Sequence, residues 1–233
     1  MKKPVKPEIE INERRDMPEE TLREKQARMA RIIERLKPHT PRVRTELRHT
    51  TPFELLVATI LSAQCTDARV NMITPGLFQK YRSPEEFLAS PQEELERDIY
   101  SAGFYHAKAT NIKKAAQTLI EKFNGVMPGT MEELLTLAGV GRKTANCILG
   151  NCFDAPALVV DTHVMRLANR MGFVKSTDAD KIEFELQKVV PQEEWTPFAH
   201  YMIEHGRKIC ARVPKCGECV VNDLCPKLDY KKK

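Results

Sequence analysis

The sequence predicts an all-α protein of about ten short helices. Apolar side chains recur at helical spacing in one segment after another, and proline or glycine turns separate these segments. No segment alternates apolar and polar residues long enough to indicate a strand, and the apolar run Leu158-Val159-Val160 is too short to establish one. The pattern therefore favours a fold made only of helices.

The first part of the chain predicts a loose arm and then a series of helices. Residues 1–17 are polar and contain Pro4 and Pro7, which is typical of an arm. Later helix boundaries carry recognisable signals, such as the start at Thr51-Pro52 and the end at Asn124-Gly125. The predicted helical stretches are 18–37, 52–61, 67–81 and 105–123, with an interruption of the third at Pro75. Two further helices are predicted to start at 83 and 90.

The second part of the chain continues the helical pattern. Thr130 and Glu133 are spaced as a capping box, in which each side chain bonds to the other residue's backbone. The remaining predicted helices cover about 130–137, 142–152, 162–171, 178–189 and 195–208.

Length and composition exclude several classes of protein. The chain has 233 residues and a mass of 26.6 kDa, and 42% of its residues are hydrophobic. It can therefore bury one large core or two small ones, unlike a disordered chain. No apolar run reaches the roughly 18 residues of a membrane span, and the N-terminus has no secretory signal. We expect an intracellular protein of the cytoplasm, with no membrane partner.

Positive charge is concentrated at the two ends of the chain. Residues 1–50 hold 14 basic and 9 acidic side chains, residues 51–206 hold 15 and 20, and residues 207–233 hold 8 and 3. Basic ends suit a polyanion such as nucleic acid. Solvated tails explain the same pattern, so charge alone leaves the partner open.

A glycine-rich turn between two predicted helices is a candidate phosphate site. Residues 137–145 run Leu-Ala-Gly-Val-Gly-Arg-Lys-Thr-Ala. Gly139 and Gly141 permit a tight turn, Val140 would pack it down, and the next helix would present free N–H groups to a phosphate. This is the helix-hairpin-helix pattern, a clamp for a nucleic-acid backbone of any sequence. An ordinary corner between two helices is the alternative.

Lys143 falls in the first turn of the helix that follows the hairpin. It could contact phosphate as a cation, or it could attack carbon as a neutral amine. The positive end of the helix and the neighbouring Arg142 both disfavour the charged amine. The segment by itself leaves both roles open.

Asp161 follows the short apolar run and precedes a predicted helix, within Val160-Asp161-Thr162-His163. It is a natural N-cap. A carboxylate at a helix N-terminus is also stabilised in its ionised form, which a reaction with a positively charged sugar-like transition state requires. The two roles are compatible.

Four of the seven cysteines lie close together near the C-terminus. Cys210, Cys216, Cys219 and Cys225 have the spacing C-x5-C-x2-C-x5-C. This compact set favours a four-iron cluster over a zinc site, which usually has two separated pairs, and over unligated thiols. The other three, predicted to be buried free thiols, are Cys65, Cys147 and Cys152.

These motifs together resemble the endonuclease III family of base-excision-repair DNA glycosylase/AP lyases. The resemblance rests on the hairpin ending in Arg142-Lys143, on Val160 to His163, and on the four-cysteine segment. It runs from about residue 25 to 228 and includes Ser62-Ala63-Gln64 and Gly103-Phe104-Tyr105.

The resemblance implies an enzyme that swings an oxidised pyrimidine out of duplex DNA. Lys143 matches the nucleophile that attacks the sugar and forms a Schiff base, before β-elimination cuts the strand. Asp161 matches the carboxylate that helps to activate it. Gln64 matches a residue that fills the gap left by the flipped base, and Phe104 falls at the position of an apolar wedge. Without the resemblance, the simpler interpretation of Gln64 is a polar residue at a helix end, and that of Phe104 is a core aromatic.

The resemblance also implies the cofactor, the DNA contacts and the domain arrangement. The four cysteines would hold a [4Fe–4S] cluster, and the monomeric enzyme would bind damaged double-stranded DNA at the nucleoid. A helical barrel would span 45–155, and a cluster domain would combine 1–44 with 156–233, with the active site between them. The expected DNA contacts are Gln64, Phe104, Gly139, Val140, Gly141, Arg142, Arg212 and Lys215.

The chain departs from the family pattern at a few positions. Ala138 stands where proline is common, Phe104 where leucine is usual, and five residues rather than six separate Cys210 from Cys216. Related alternatives are an adenine-mismatch glycosylase, which lacks the lysine, and a mismatch thymine/uracil glycosylase of the same fold. A non-catalytic DNA-binding module with structural zinc is the alternative from another class.

Overall fold

The structure is a computed structural model that describes residues 19–41 and 43–228. Within these ranges it contains eleven α-helices, five short 3-10 turns and no strand, so the all-α prediction is confirmed. The arm predicted for residues 1–17 lies outside the described residues. None of the helices in the described ranges is both long and apolar enough to cross a membrane.

Most helix boundaries agree with those expected from the sequence. The helices predicted at 105–123, 142–152 and 195–208 have those bounds. Pro75 does not interrupt its helix, and the helix after Thr130 is only four residues long. The helices are α1 (Leu22–Leu36), α2 (Pro52–Ser62), α3 (Asp67–Lys80), α4 (Pro84–Ala89), α5 (Gln92–Asp98), α6 (Tyr105–Phe123), α7 (Met131–Leu134), α8 (Arg142–Cys152), α9 (Thr162–Arg170), α10 (Ala179–Gln187) and α11 (Trp195–Lys208).

Helices α2 to α8 enclose a first hydrophobic core. The apolar helix α2 lies at its centre and packs against α3, α6 and α8, while α4 packs along α6. A helix that is apolar on all sides is buried on all sides. The α2 side chains with no exposed surface are Leu55, Leu56, Val57, Ala58 and Leu61.

A second core is built from the two ends of the described chain. Helix α1 packs against α11, and α11 packs along α9. Arg28 of α1 is buried there, and its guanidinium donates to the backbone carbonyls of Met171 and Leu224. Two of the clustered cysteines, Cys210 and Cys225, belong to this core.

The chain passes from the first core to the second between Ala157 and Leu158. Helices α8 and α9 therefore follow one another in the sequence but contribute to different cores. This passage lies close to the predicted domain boundary at 155/156, and the domain assignment itself stays a prediction.

Candidate active site

A cleft of about 1530 Å³ is lined by residues from both cores. Gln64, Asp67 and Lys143 line it from the side of the first core. Asp161 and His200 line it from the side of the second. Three of the residues singled out from the sequence, Gln64, Lys143 and Asp161, are thus brought into one space.

Lys143 is exposed in the first turn of α8. No carboxylate of the described residues lies within ion-pairing distance of its ammonium. The turn is held by its neighbour Arg142, which donates to both carboxylate oxygens of Glu183 on α10 at 2.5 and 3.2 Å and lies over the Phe184 ring. The structure therefore places Arg142 in a contact between the two cores and leaves Lys143 available to the cleft.

The hairpin before α8 has the conformation that its glycines allow. Gly139 has a φ of +78°, and a Cβ atom there would lie 3.1 Å from Cβ of Asn111. Val140 packs against the first core. Gly141 is the N-cap of α8 and provides no side-chain cap, so backbone N–H groups at this helix start are left for another acceptor.

Asp161 is the N-cap of α9. Its Oδ1 atom accepts hydrogen bonds from the backbone N–H groups of His163 and Val164, both at 2.8 Å. The cap uses one carboxylate oxygen, so the other is not needed for it. The chain leading to Asp161 is tied to α8, because Nδ2 of the buried Asn146 donates to the carbonyl of Leu158 at 3.2 Å.

Several charged residues of the cleft were missed by the sequence analysis. Arg207 pairs with Glu46 at 2.7 Å and approaches Asp67 to 4.0 Å. Burial, followed by the negative charge of Glu46, raises the pKa of Asp67, although Arg207 and Lys143 oppose the shift. Burial also lowers the pKa of His200. These residues come from three distant segments, so no local spacing could have indicated the group.

The residue predicted to fill the gap, Gln64, and the predicted apolar wedge, Phe104, both have left-handed backbones. Gln64 lies between α2 and α3 with a φ of 54°, and Phe104 precedes α6 with a φ of 49°. Phe104 is 66% exposed, so the interpretation as a core aromatic is wrong. Gln64 is exposed and lines the cleft, whereas Phe104 does not line it.

The four-cysteine segment has the donors that an iron–sulfur cluster needs. Cys210 and Cys225 are buried, and Cys210, Cys216 and Cys225 all lie close enough to Cys219 to affect its pKa. Burial raises the pKa of Cys219 to about 11 and raises that of Cys225 as well. A metal centre would therefore have to displace protons from these thiols.

The sulfur atoms have hydrogen-bond donors that suit an iron–sulfur cluster. Arg170 donates to the sulfur of Cys210 at 3.2 Å, and the backbone N–H of Lys227 donates to that of Cys225 at 3.4 Å. Such donors stabilise negatively charged sulfur. A cubane takes one thiolate at each of its four corners, which matches the number of cysteines in this segment.

Of the three other cysteines and the two cations of the cysteine loop, only Cys147 lines the cleft. Arg212 and Lys215 are exposed in the loop between Cys210 and Cys216. Cys147 lines the cleft, and burial raises its pKa to about 11. The thiols of Cys65, Cys147 and Cys152 are free as predicted, but these residues are half-buried rather than buried.

Comparison with known proteins now identifies the family. Residues 57–192 match the family described as HhH-GPD superfamily base excision DNA repair protein, and residues 211–225 match the iron-sulfur binding domain of endonuclease III. An endonuclease III from Synechocystis is 48% identical over 87% of this chain and 93% of its own. The chain belongs to the endonuclease III family.

Solved structures agree with this assignment. A trapped endonuclease III–DNA covalent intermediate superposes with a TM-score of 0.81 and is 46% identical over 86% of this chain and 95% of its own. A thermostable thymine-DNA glycosylase has a TM-score of 0.77 at 25% identity, over 88% of this chain and 97% of its own. The endonuclease III branch is thus favoured over the mismatch-glycosylase alternative.

Membership in the endonuclease III family settles the general activity. The chain is a DNA glycosylase and AP lyase of base-excision repair, as the sequence resemblance predicted, and its cofactor is a [4Fe–4S] cluster. The prediction of an enzyme is confirmed over the alternative of a non-catalytic zinc module.

Proposed function

We propose that Lys143 is the nucleophile of both reactions and that Asp161 is its partner carboxylate. The observation that carries this assignment is that the two side chains line one cleft, although they begin helices of different cores. No carboxylate of the described chain, Asp161 included, lies within ion-pairing distance of the Lys143 Nζ atom, so no salt bridge has to break before the amine attacks.

The reaction begins with the neutral amine of Lys143 attacking C1′ of a flipped nucleotide. As the bond from C1′ to the base breaks, positive charge develops on the sugar, and the Asp161 carboxylate stabilises it. Loss of the proton from the attacking nitrogen and opening of the sugar ring give a Schiff base. Removal of a C2′ proton then expels the 3′ phosphate by β-elimination.

Further DNA contacts would position the duplex. The N–H groups after Gly141 have no side-chain cap, which suits a phosphate at the helix N-terminus. Arg212 and Lys215 are exposed and supply positive charge from the cysteine segment. Arg142 supports the same helix start through Glu183, and we propose that it acts there rather than by direct phosphate contact.

The [4Fe–4S] cluster would be held by Cys210, Cys216, Cys219 and Cys225. Four protein ligands leave no open coordination position for a reacting water, so the group would organise the loop that carries Arg212 and Lys215. It supplies no step in the chemistry above.

The substrate is proposed to be duplex DNA that contains an oxidised pyrimidine, bound by one copy of the chain at the nucleoid. Trapped and non-covalent endonuclease III–DNA complexes are among the similar structures, which supports duplex binding.

Borohydride trapping on abasic duplex DNA tests the assignment of Lys143. The wild-type chain should form a covalent adduct, and Lys143→Gln should form none while still binding the duplex. Lys122→Gln is a matched control, because Lys122 is an exposed lysine at the end of α6 and does not line the cleft. Trapping by Lys143→Gln at the wild-type rate would refute the proposal.

A further inference from the structure

Lys108 is a buried lysine that the proposed chemistry does not use. It lies in the first turn of α6, and only 4% of its surface is exposed. Its Nζ atom donates to the backbone carbonyls of Leu61 at 2.8 Å and Ala102 at 2.9 Å. Burying an ammonium group is unfavourable unless it is paired, so these two contacts account for its position.

The two carbonyls occupy similar places in the chain. Leu61 lies in the last turn of α2, three residues before Gln64, and Ala102 lies two residues before Phe104. The last four carbonyls of a helix lack an intrahelical partner, and the C-terminal end of a helix attracts a cation. One ammonium group therefore caps both of the segments that lead to the exposed residues Gln64 and Phe104.

Both segments have backbone conformations that need support from their surroundings. Gln64 and Phe104 are non-glycine residues with φ near +50°, and Gly103 between Ala102 and Phe104 has a φ of 70°. Such conformations persist only where neighbouring contacts hold them, and they concentrate at functional sites. Lys108 is the described side chain that contacts both segments by hydrogen bonds.

We propose that Lys108 is a positioning residue that holds Gln64 and Phe104 at a fixed separation, so that both side chains enter the lesion site together. This inference rests on the proposed function, to which we add the two roles that the sequence resemblance implies: Gln64 fills the gap left by the flipped base, and Phe104 is an apolar wedge. Fixing them before binding reduces the entropy lost when the complex forms. Their coupling should therefore affect lesion recognition more than binding of undamaged DNA.

The test compares two lysine-to-methionine variants on the same helix. Lys108→Met keeps the length of the side chain and removes its donors. Lys113→Met is the matched control, because Lys113 also donates to a backbone carbonyl, that of Ser90, away from both segments. Binding is measured on a duplex with a stable abasic-site analogue and on the undamaged duplex, and 2-aminopurine placed opposite the site reports base unstacking.

We expect the ratio of affinities for the lesion duplex and the undamaged duplex to fall about tenfold in Lys108→Met. This is the order of effect of leaving a buried polar group unpaired. The 2-aminopurine signal should fall with it, and Lys113→Met should keep both properties. Borohydride trapping on single-stranded abasic DNA, which leaves no gap to fill, should be unchanged in both variants. Should Lys108→Met not fold, Lys108→Gln replaces it in every comparison.

A second measurement separates positioning from general stability. In a chain that already carries Gln64→Ala and Phe104→Ala, adding Lys108→Met should cost no further preference, since the lysine acts through those residues. An equal loss in that background, or an intact preference in Lys108→Met, overturns the inference. Failure of the proposed function is distinguishable, because the wild-type chain would then trap no adduct on abasic DNA.

Discussion

Helices α8 and α9 both begin at the cleft, but only the N-terminus of α9 is capped by a side chain. The start of α8 follows Gly141 and has no side-chain cap. The start of α9 is capped by Asp161, whose Oδ1 accepts two backbone N–H groups. An uncapped start leaves donors for an external anion, whereas a capped start fixes a carboxylate in place.

This difference matters because the two starts belong to different cores. The buried side chains of α8 pack in the first core, and those of α9 pack in the second. The Arg142–Glu183 pair and the Asn146–Leu158 contact join the two sides. The cleft therefore combines one helix end suited to a phosphate with another suited to a cationic transition state, and each can be changed separately.

The largest effect is expected from loss of the cysteine segment, which should affect α9 in the second core and spare α8 in the first. Arg170 at the end of α9 donates to the sulfur of Cys210 and the carbonyl of Ala211, so α9 should depend on the cysteine segment. Purified anaerobically, the protein should carry about four iron atoms per chain, and Cys216→Ser should lose iron and soluble yield. Hydrogen exchange should show lost protection in α9 and retained protection in α8.

A matched cysteine provides the control for this variant. Cys152→Ser changes a half-buried free thiol at the end of α8 and should retain iron. Stoichiometric zinc without iron after anaerobic purification would contradict the assignment of the cluster.

The next effect concerns the charge at the start of α9. Asp161→Asn keeps an acceptor for the cap but removes the carboxylate, so glycosylase activity should fall by at least about 10²-fold. The melting temperature should change little, or rise. Asp178→Asn is the control, because Asp178 caps α10 through the same kind of contact outside the cleft. A loss of activity only in proportion to lost folded protein would leave Asp161 as a cap alone.

Much of the fold could be predicted because its signals are local. The periodic apolar side chains and end signals of α6 gave its bounds, 105–123, directly. The predicted interruption at Pro75 is wrong. Val70 before the proline and Leu77 after it are both buried, and this packing keeps α3 continuous although Pro75 removes one backbone hydrogen bond. The short α7 reflects the hairpin that must follow within a few residues.

The candidate site was predictable only where its residues lie in compact motifs. Lys143 and Asp161 follow recognisable local patterns, but the Glu46–Arg207 pair joins residues 161 positions apart and has no local signal. Lys108 did leave a signal: it is a lysine four residues before Ile112, on the apolar side of α6. Its role could not be inferred, because its partners lie in other segments.

A smaller effect tests the open start of α8 through its two glycines. Gly139→Ala forces a side chain into a left-handed conformation beside Asn111 and should destabilise the protein by about 1–3 kcal/mol. It should also weaken binding to damaged and undamaged duplexes alike. In Gly141→Ala, φ is −101° and no atom lies within 4 Å of the new Cβ atom. Urea unfolding should therefore place Gly141→Ala near the wild type, and equal loss in both variants would contradict this.

The smallest expected effect distinguishes phosphate contacts from lesion contacts. If the hairpin, Arg212, Lys215 and the basic C-terminal segment neutralise about four phosphates, log K should fall with log salt at a slope of roughly −3.6. Lys215→Ala should reduce that slope by about 1 and weaken binding to damaged and undamaged DNA alike, because a phosphate contact carries no lesion information.

Gln64→Ala should leave the slope unchanged and weaken binding only to the lesion duplex, where a flipped base leaves a gap. Salt titrations of both variants on paired duplexes measure these quantities. If Lys215→Ala lost only lesion binding, or Gln64→Ala lost both equally, the two roles would have to be exchanged, and the cysteine loop would then belong to lesion recognition.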